Sequence, residues 1–137
     1  MEEFIYFDKS HKDFIKIKNL IMDQDSSITI QKSLDNLDYG YIHISSSIGY
    51  SFILCEKYIG LPFIKLICAR PNLQDGEKLL KLVEEKSLKD GFNYIALHSI
   101  IENKLVNWYK KQGFKIENEI TFENKKLKAY LMSKKLV

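Results

Sequence analysis

The residues best suited to bind an anion lie where a predicted strand passes into a predicted helix. The apolar run over 63–68 predicts a buried strand, and the loop 70–75 leads into a helix that begins near Gly76. The first backbone N–H groups of a helix are free and carry partial positive charge, so a diphosphate is a natural ligand there. Gly76 permits close approach because it has no Cβ. Arg70 and Lys78 could add charge-assisted hydrogen bonds.

A candidate general base follows the next strand. His98 and Ser99 end the strand predicted from 94, and residues at a strand end face the crevice in which α/β proteins bind ligands. His98 could deprotonate an ammonium group, directly or through water, because the pKa of imidazole lies near neutrality. A hydrogen-bonded histidine without a catalytic role is the alternative. Glu56 and His43 are other candidate bases.

The cysteines and histidines carry little further chemistry. No neighbouring residue supplies a base for Cys68, so we expect an inert buried thiol rather than a nucleophile. Cys55 and Cys68 are too few for a disulfide scaffold and suit a reducing compartment, which predicts a cytoplasmic protein. The three histidines and two cysteines have no metal-ligand spacing, so we expect no metal.

The elements around these residues predict one α/β domain over 1–137. The chain shows no internal repeat and no linker, and its predicted order is strand, helix, strands, helix, strand, helix, strands. A mixed sheet packed with helices, an α+β sandwich, is the expected architecture. The strands are predicted at 4–7, between 28 and 68, at 94–97, 114–122 and 127–132, and the helices from 14, over 76–89 and over 102–112.

The composition excludes several classes of protein. The 137 residues are 45% hydrophobic and include 8 Phe, 8 Tyr and 1 Trp, which is ample apolar area for a core. No apolar run approaches about 18 residues and no basic leader precedes the acidic start, so we expect neither membrane nor secretory targeting. The net charge of +3 comes from dispersed lysines, which argues against nucleic acid. Arg70 is the single arginine among 21 basic residues.

Three segments share their pattern with a known family. Residues 109–114 read Y-x-x-x-G-F, residues 76–80 open a helix with a small residue before paired leucines, and 90–97 form the link and strand between them. Together they resemble the GNAT family of acyl-CoA-dependent N-acyltransferases: 109–114 match its Y-x-x-x-G-F motif in full, and 76–80 match the end of its diphosphate loop. The resemblance is carried mainly by residues 63–114. It implies a mostly antiparallel mixed sheet with helices on both faces and a V-shaped splay between the central strands.

The resemblance also implies acetyl-CoA as co-substrate and assigns residues to it. Tyr109 matches the family's general acid for the departing thiolate, close to the thioester sulfur. The pantetheine arm is expected to bond to the main chain of Ile67, Cys68 and Ala69. The diphosphate is expected at the loop and the first turn of the helix over 76–89, with a further contact near the start of the helix over 102–112. The residues expected to contribute are Arg70, Gln74, Asp75, Gly76, Glu77, Lys78 and Asn103.

The departures from the family pattern leave two functions open. The family's middle loop glycine falls on Gln74, and its Gln or Arg falls on Pro71, beside Arg70. The first hypothesis is an N-acetyltransferase for a small-molecule or peptide amine. The second is a catalytically inactive module of the same fold that binds or regulates. Dimerisation through the C-terminal strands is common in the family, so the resemblance leaves a homodimer as an open alternative.

Overall fold

A computed structural model describes residues 4–24, 28–45, 49–58, 60–69, 74–122 and 127–137. These residues form seven strands and four helices, in the order β-α-α-β-β-β-α-β-α-β-β. The strands are β1 Ile5–Phe7, β2 Tyr39–Ser45, β3 Gly49–Tyr58, β4 Leu61–Cys68, β5 Tyr94–Ile100, β6 Lys115–Phe122 and β7 Leu127–Lys135. The helices are α1 Phe14–Gln24, α2 Ile28–Asp35, α3 Asp75–Lys89 and α4 Asn103–Lys111.

The strands form one sheet in the order β1-β2-β3-β4-β5-β7-β6. Every neighbouring pair is antiparallel except β4 and β5, which are parallel. A parallel pair needs a crossover, and α3 supplies it between the two strands. The predicted mixed, mostly antiparallel sheet is confirmed.

Helices cover both faces of the sheet, as predicted. Alternate residues of a strand point to opposite faces, and β3 illustrates this: Ile53 packs with α3 and α4, whereas Phe52 packs with α1 and α2. On the first face α3 and α4 contribute Leu79, Leu80, Val83, Val106 and Tyr109. On the second face α1 and α2 contribute Ile17, Ile21, Ile30 and Leu34.

The second helix corrects one prediction. Residues 28–38 were expected to be part of a strand region, but Ile28–Asp35 is helical. Ile30, Leu34 and Leu37 are buried at helical spacing and pack on the sheet, whereas 31, 32, 35 and 36 are exposed. The β-branched residues at the start of this segment favour strands locally, and tertiary packing overrides that preference.

The central strands diverge after a short parallel pairing. Within the described residues, β4 and β5 pair at Phe63↔Ala96 and Ile64↔Leu97, although β4 continues to Cys68. Beyond these pairs the two strands splay, as the resemblance implies. Opposite β3, Leu54 pairs with Leu66 and Cys55 with Ile64, so Lys65 is an extra residue that forms a β-bulge. A bulge bends its strand and increases the twist, and this one lies where the splay begins.

The helices that flank the splay have well-defined ends. α3 ends in a Schellman motif, in which Gly91 has a φ of 91° and the N–H of Phe92 donates to the carbonyl of Ser87 over 2.9 Å. The predicted stop of this helix at Asp90 and Gly91 is therefore confirmed. None of the described helices has the length and apolar character needed to span a bilayer.

Candidate active site

The splay between β4 and β5 opens a cleft that α4 covers on one side. Its volume is about 320 Å³. The cleft is lined by residues 64–67 of β4 with Ala69 after it, residues 97–100 of β5, Gly76 of α3, and Leu105, Trp108 and Tyr109 of α4. The cavity thus brings together two candidate catalytic side chains, the end of a buried strand and the first turn of a helix.

Tyr109 forms part of the cleft wall and belongs to the core. It is 6% exposed, and its ring lies edge-on to Trp108 and to Phe114, at centroid distances of 5.2 and 5.8 Å. Burial raises the pKa of its phenol to about 12. The hydroxyl is therefore protonated at any physiological pH, and neighbouring rings fix its position.

Helix capping explains the glycine and phenylalanine that follow Tyr109. Gly113 has a φ of 99°, and the N–H of Phe114 donates to the carbonyl of Tyr109 over 3.1 Å. The N–H of Gly113 donates to the carbonyl of Lys110 over 3.0 Å, which completes a second Schellman motif. The Y-x-x-x-G-F pattern therefore specifies how α4 ends. Capping does not explain why residue 109 carries a hydroxyl, because the capping bonds use only its backbone carbonyl.

His98 lies on β5 and lines the same cleft. Its ring packs edge-on against Phe63, at 4.7 Å between centroids, and against Tyr58, at 5.9 Å. Burial first, and the nearby Lys65 ammonium second, lower the pKa of His98 below its ordinary value. At neutral pH the imidazole is therefore uncharged, which is the state a general base requires.

The first turn of α3 reaches the cleft through Gly76. A Cβ on Gly76 would lie 3.1 Å from a ring carbon of Trp108 and 3.8 Å from the Cβ of Ala69. The glycine therefore lets α3 and α4 approach closely at the mouth of the cleft. Gln74, just before the helix, has a φ of 57° and a ψ of 22°, a left-handed conformation that favours glycine. The resemblance places the family's middle glycine at this position.

The side chain of Asp75 is directed into the protein. Asp75 is 1% exposed, and the Oγ of Ser51 on β3 donates to its Oδ2 over 2.6 Å. A carboxylate in the first turn is stabilised by the partial positive charge of the helix end. This hydrogen bond fastens the start of α3 to the sheet.

The remaining predicted site residues do not all reach the cleft. Ile67 and Ala69 line the cleft, whereas the thiol of Cys68 packs on the opposite face with α1 and α2. Glu77 and Lys78 are exposed on α3, and Asn103 is exposed at the start of α4. Arg70 lies outside the described residues.

The other candidate bases do not line the cleft. Glu56 lies on β3 directly opposite Phe63, and His43 packs against Phe4 at 5.2 Å between ring centroids. Across the described ranges, no group of three His, Cys, Asp or Glu side chains is arranged to hold a metal ion.

Sequence reasoning missed Trp108 as a wall of the cleft. Its indole packs between Tyr109 and Gly76, and it also borders a second cavity on the outer side of α4. The available signal was its position beside Tyr109 on a helix that follows His98. Trp108 is the single tryptophan of the chain, so its fluorescence reports directly on the cleft.

The comparisons with known proteins identify the fold. No protein-family model matches the chain, and no curated protein sequence does. Among solved structures, a GNAT family acetyltransferase from Elizabethkingia anophelis with acetyl-CoA bound has a TM-score of 0.75 and 15% identity, over 98% of this chain and 97% of the other. The aminoglycoside 6'-N-acetyltransferase from Enterococcus faecium has a TM-score of 0.71 and 11% identity, over 98% of this chain and 97% of the other.

A third structure, an aminoglycoside 6'-N-acetyltransferase complexed with coenzyme A, has a TM-score of 0.70 and 14% identity, over 98% of this chain and 97% of the other. The chain thus has the fold of the GNAT acetyltransferases, and the similarity extends over nearly its whole length. The resemblance carried by residues 63–114 is confirmed at the level of the fold.

Proposed function

We propose that residues 1–137 form one N-acyltransferase domain that transfers an acetyl group from acetyl-CoA to a primary amine. The observation that carries this proposal is the cleft between β4 and β5, in which Tyr109, His98 and the start of α3 meet. Structures of similar fold have been solved with acetyl-CoA or coenzyme A bound, which supports the choice of co-substrate. The cytoplasm, where acetyl-CoA is available, is the proposed location.

The cleft offers a separate surface to each part of the co-substrate. Beyond Ile64, β4 no longer pairs with β5 within the described residues, so the main chain of 67–69 is available to the amide groups of a pantetheine arm. The first turn of α3 presents backbone N–H groups to the diphosphate. Gln74, Asp75, Gly76, Glu77 and Lys78 form this turn. We propose that Arg70 and Asn103 add polar contacts to the bound CoA.

The reaction needs one proton acceptor and one donor. His98 removes a proton from the acceptor ammonium, directly or through water, and the amine nitrogen then attacks the thioester carbonyl. The C–N bond forms and the carbonyl carbon becomes tetrahedral. Collapse of this intermediate breaks the C–S bond and releases the thiolate of CoA. The nitrogen loses its remaining extra proton, which supplies the proton that the thiolate takes up. We propose that a backbone N–H of β4, beside the bulge at Lys65, stabilises the oxyanion.

The raised pKa of Tyr109 defines its role more closely. A phenol with a pKa of about 12 holds its proton more tightly than a thiol with an ordinary pKa of about 8.5. Tyr109 therefore serves best as a hydrogen-bond donor to the sulfur as negative charge develops. The thiolate takes up a proton fully only as the product leaves.

The acceptor is proposed to be a small-molecule or peptide amine that approaches from the side of His98. Tyr58, which contacts His98, is 44% exposed and marks an open surface next to the cleft. Two of the similar structures are aminoglycoside acetyltransferases, which supports small amines as the first acceptors to test.

Two measurements test the proposed function. Titration calorimetry with acetyl-CoA should give saturable one-site binding, and Trp108 fluorescence should change with the same midpoint. Release of free thiol from acetyl-CoA should then depend on an added amine, in a panel of aminoglycosides, polyamines and peptides with free amino groups. Absence of acetyl-CoA binding at millimolar concentration would refute the proposal.

The second candidate is an inactive module of the same fold. It is favoured by the start of α3, where Gln74 adopts a left-handed conformation that favours the glycine of the family pattern. Such a module would bind CoA without releasing thiol for any amine of the panel. Amine-dependent thiol release that obeys saturation kinetics would exclude it.

A further inference from the structure

The charge of the cleft is concentrated at one lysine. Among the described residues that line the cleft, only Lys65 carries a charge at neutral pH, because the lowered pKa of His98 leaves its imidazole neutral. The other described lining residues are aliphatic, aromatic, glycine or serine. The described walls of the cleft therefore carry a positive charge and no carboxylate.

The geometry of the sheet places Lys65 beside the candidate base. Ile64 of β4 and Leu97 of β5 form the last described pair of these parallel strands, so Lys65 and His98 are the next residues along each strand. Lys65 is also the extra residue of the β-bulge, and bulges next to active sites re-aim a side chain. The ammonium charge reaches the imidazole, since it contributes, after burial, to the lowered pKa of His98.

The charge of Lys65 is accessible to a ligand. Lys65 is exposed, and within the part of the chain that the structure describes no carboxylate forms an ion pair with it. Glu56 lies on β3 opposite Phe63 and is not part of the cleft wall. An anionic group that enters the cleft can therefore bind Lys65 without displacing a described partner.

We propose that Lys65 is a specificity-determining residue for the acceptor, and that the acceptor is an α-amino acid whose carboxylate binds the Lys65 ammonium while its amine faces His98. The inference rests on the proposed acyl transfer in this cleft and names the substrate class for it. One carbon joins the amine and the carboxylate of an α-amino acid, and this short span suits two side chains at neighbouring positions of adjacent strands.

The same lysine disfavours the opposite class of acceptor. A carboxylate gains a charge-assisted hydrogen bond from an ammonium group. The additional ammonium groups of a polyamine or an aminoglycoside would instead be repelled by Lys65, and the described cleft lining offers them no carboxylate in return.

The test compares α-amino acids with their carboxamides, which keep the amine and the side chain but lack the negative charge. A panel of such pairs, with apolar, polar, acidic and basic side chains, is assayed by thiol release from acetyl-CoA beside spermidine and an aminoglycoside. The specificity ratio is kcat/KM for the amino acid divided by kcat/KM for its carboxamide. The wild-type protein should use an amino acid of the panel with a higher kcat/KM than either polycationic amine.

Variants at position 65 then isolate the charge. Lys65→Met keeps an unbranched side chain and should lower the specificity ratio about threefold to fivefold, the upper range for a partly exposed ion pair. Lys65→Arg should retain the wild-type ratio, and Lys65→Glu should lower it further than Lys65→Met does. The different basicity of the two amines cancels, because each variant is compared with the wild-type protein on the same pair.

A matched control shows that the effect depends on the position of the lysine. Lys89 is exposed in the last turn of α3, at the other end of this helix from Gly76, so Lys89→Met should leave the ratio unchanged. Thermal unfolding establishes that each variant is folded, and calorimetry measures its Kd for acetyl-CoA.

The outcomes separate the inference from the proposed function. An unchanged ratio in Lys65→Met, or turnover of polycationic amines in preference to every amino acid, would refute the inference and leave the proposed function standing. Weaker acetyl-CoA binding by Lys65→Met with an unchanged ratio would assign Lys65 to the co-substrate and would also refute the inference. If no amine releases thiol, amino acids included, the proposed function is wrong and the inference falls with it.

Discussion

Replacing Tyr109 with phenylalanine removes one hydroxyl from the cleft and leaves the rest of the site in place. The ring is held by Trp108 and Phe114 at centroid distances of 5.2 and 5.8 Å, contacts that a phenylalanine keeps. The backbone bond from Phe114 to the carbonyl of residue 109 does not involve the side chain. We therefore expect the free energy of unfolding to change by no more than about 1 kcal/mol.

The effect on catalysis should be much larger than the effect on folding. Loss of one hydrogen-bond donor to charge that develops in the transition state lowers kcat by about 10²–10³-fold, or roughly 2.7–4 kcal/mol. The Kd for acetyl-CoA should change less than about threefold, because the sulfur of the bound thioester carries no negative charge. Thiol release with a saturating amine measures kcat, and calorimetry measures Kd.

A control variant separates this effect from a general loss of tyrosine hydroxyls. Tyr94 is 40% exposed at the opposite end of β5 from the cleft, so Tyr94→Phe should leave kcat unchanged. If Tyr109→Phe retains more than about a third of the wild-type kcat, Tyr109 is a core residue beside the cleft and has no role in the reaction. A loss of kcat matched by unfolding would contradict the reasoning from ring packing.

Three further predictions concern the cleft, the core and the pH profile. Gly76→Ala should raise the Kd for CoA about tenfold in calorimetry, because its Cβ would lie 3.1 Å from Trp108 and displace the indole from the cleft wall; an unchanged Kd would contradict this. Gly40→Ala should lower the free energy of unfolding in urea by about 1–3 kcal/mol, because its Cβ would lie 2.8 Å from a ring carbon of Phe7. Burial lowers the pKa of His98, so kcat/KM should be constant near neutrality and fall only below about pH 6.5. A fall that begins above that pH would assign the base to another group.

The fold was predictable where one local signal decided the element. The glycines at 91 and 113 mark the ends of α3 and α4, because a positive φ after a helix favours glycine. The α2 helix was not predicted, because Ile28 and Thr29 favour a strand locally. Ile30, Leu34 and Leu37 are apolar residues at helical spacing, and all three are buried. A count of apolar periodicity in the sequence could have found this helix.

The candidate site was predictable only in part. Tyr109 and His98 were selected from motif and strand position, and both line the cleft. The burial of Asp75 and its bond to Ser51 were not predictable, because they join residues far apart in sequence. The role of Trp108 as a wall depends on how α3 approaches α4, which no local pattern encodes.

A crystal structure of the protein soaked with acetyl-CoA tests the central claim most directly. The account predicts the pantetheine arm between β4 and β5, the diphosphate at the first turn of α3, and the hydroxyl of Tyr109 within hydrogen-bonding distance of the thioester sulfur. A ligand bound elsewhere, or a cleft that stays empty at millimolar acetyl-CoA, would contradict it.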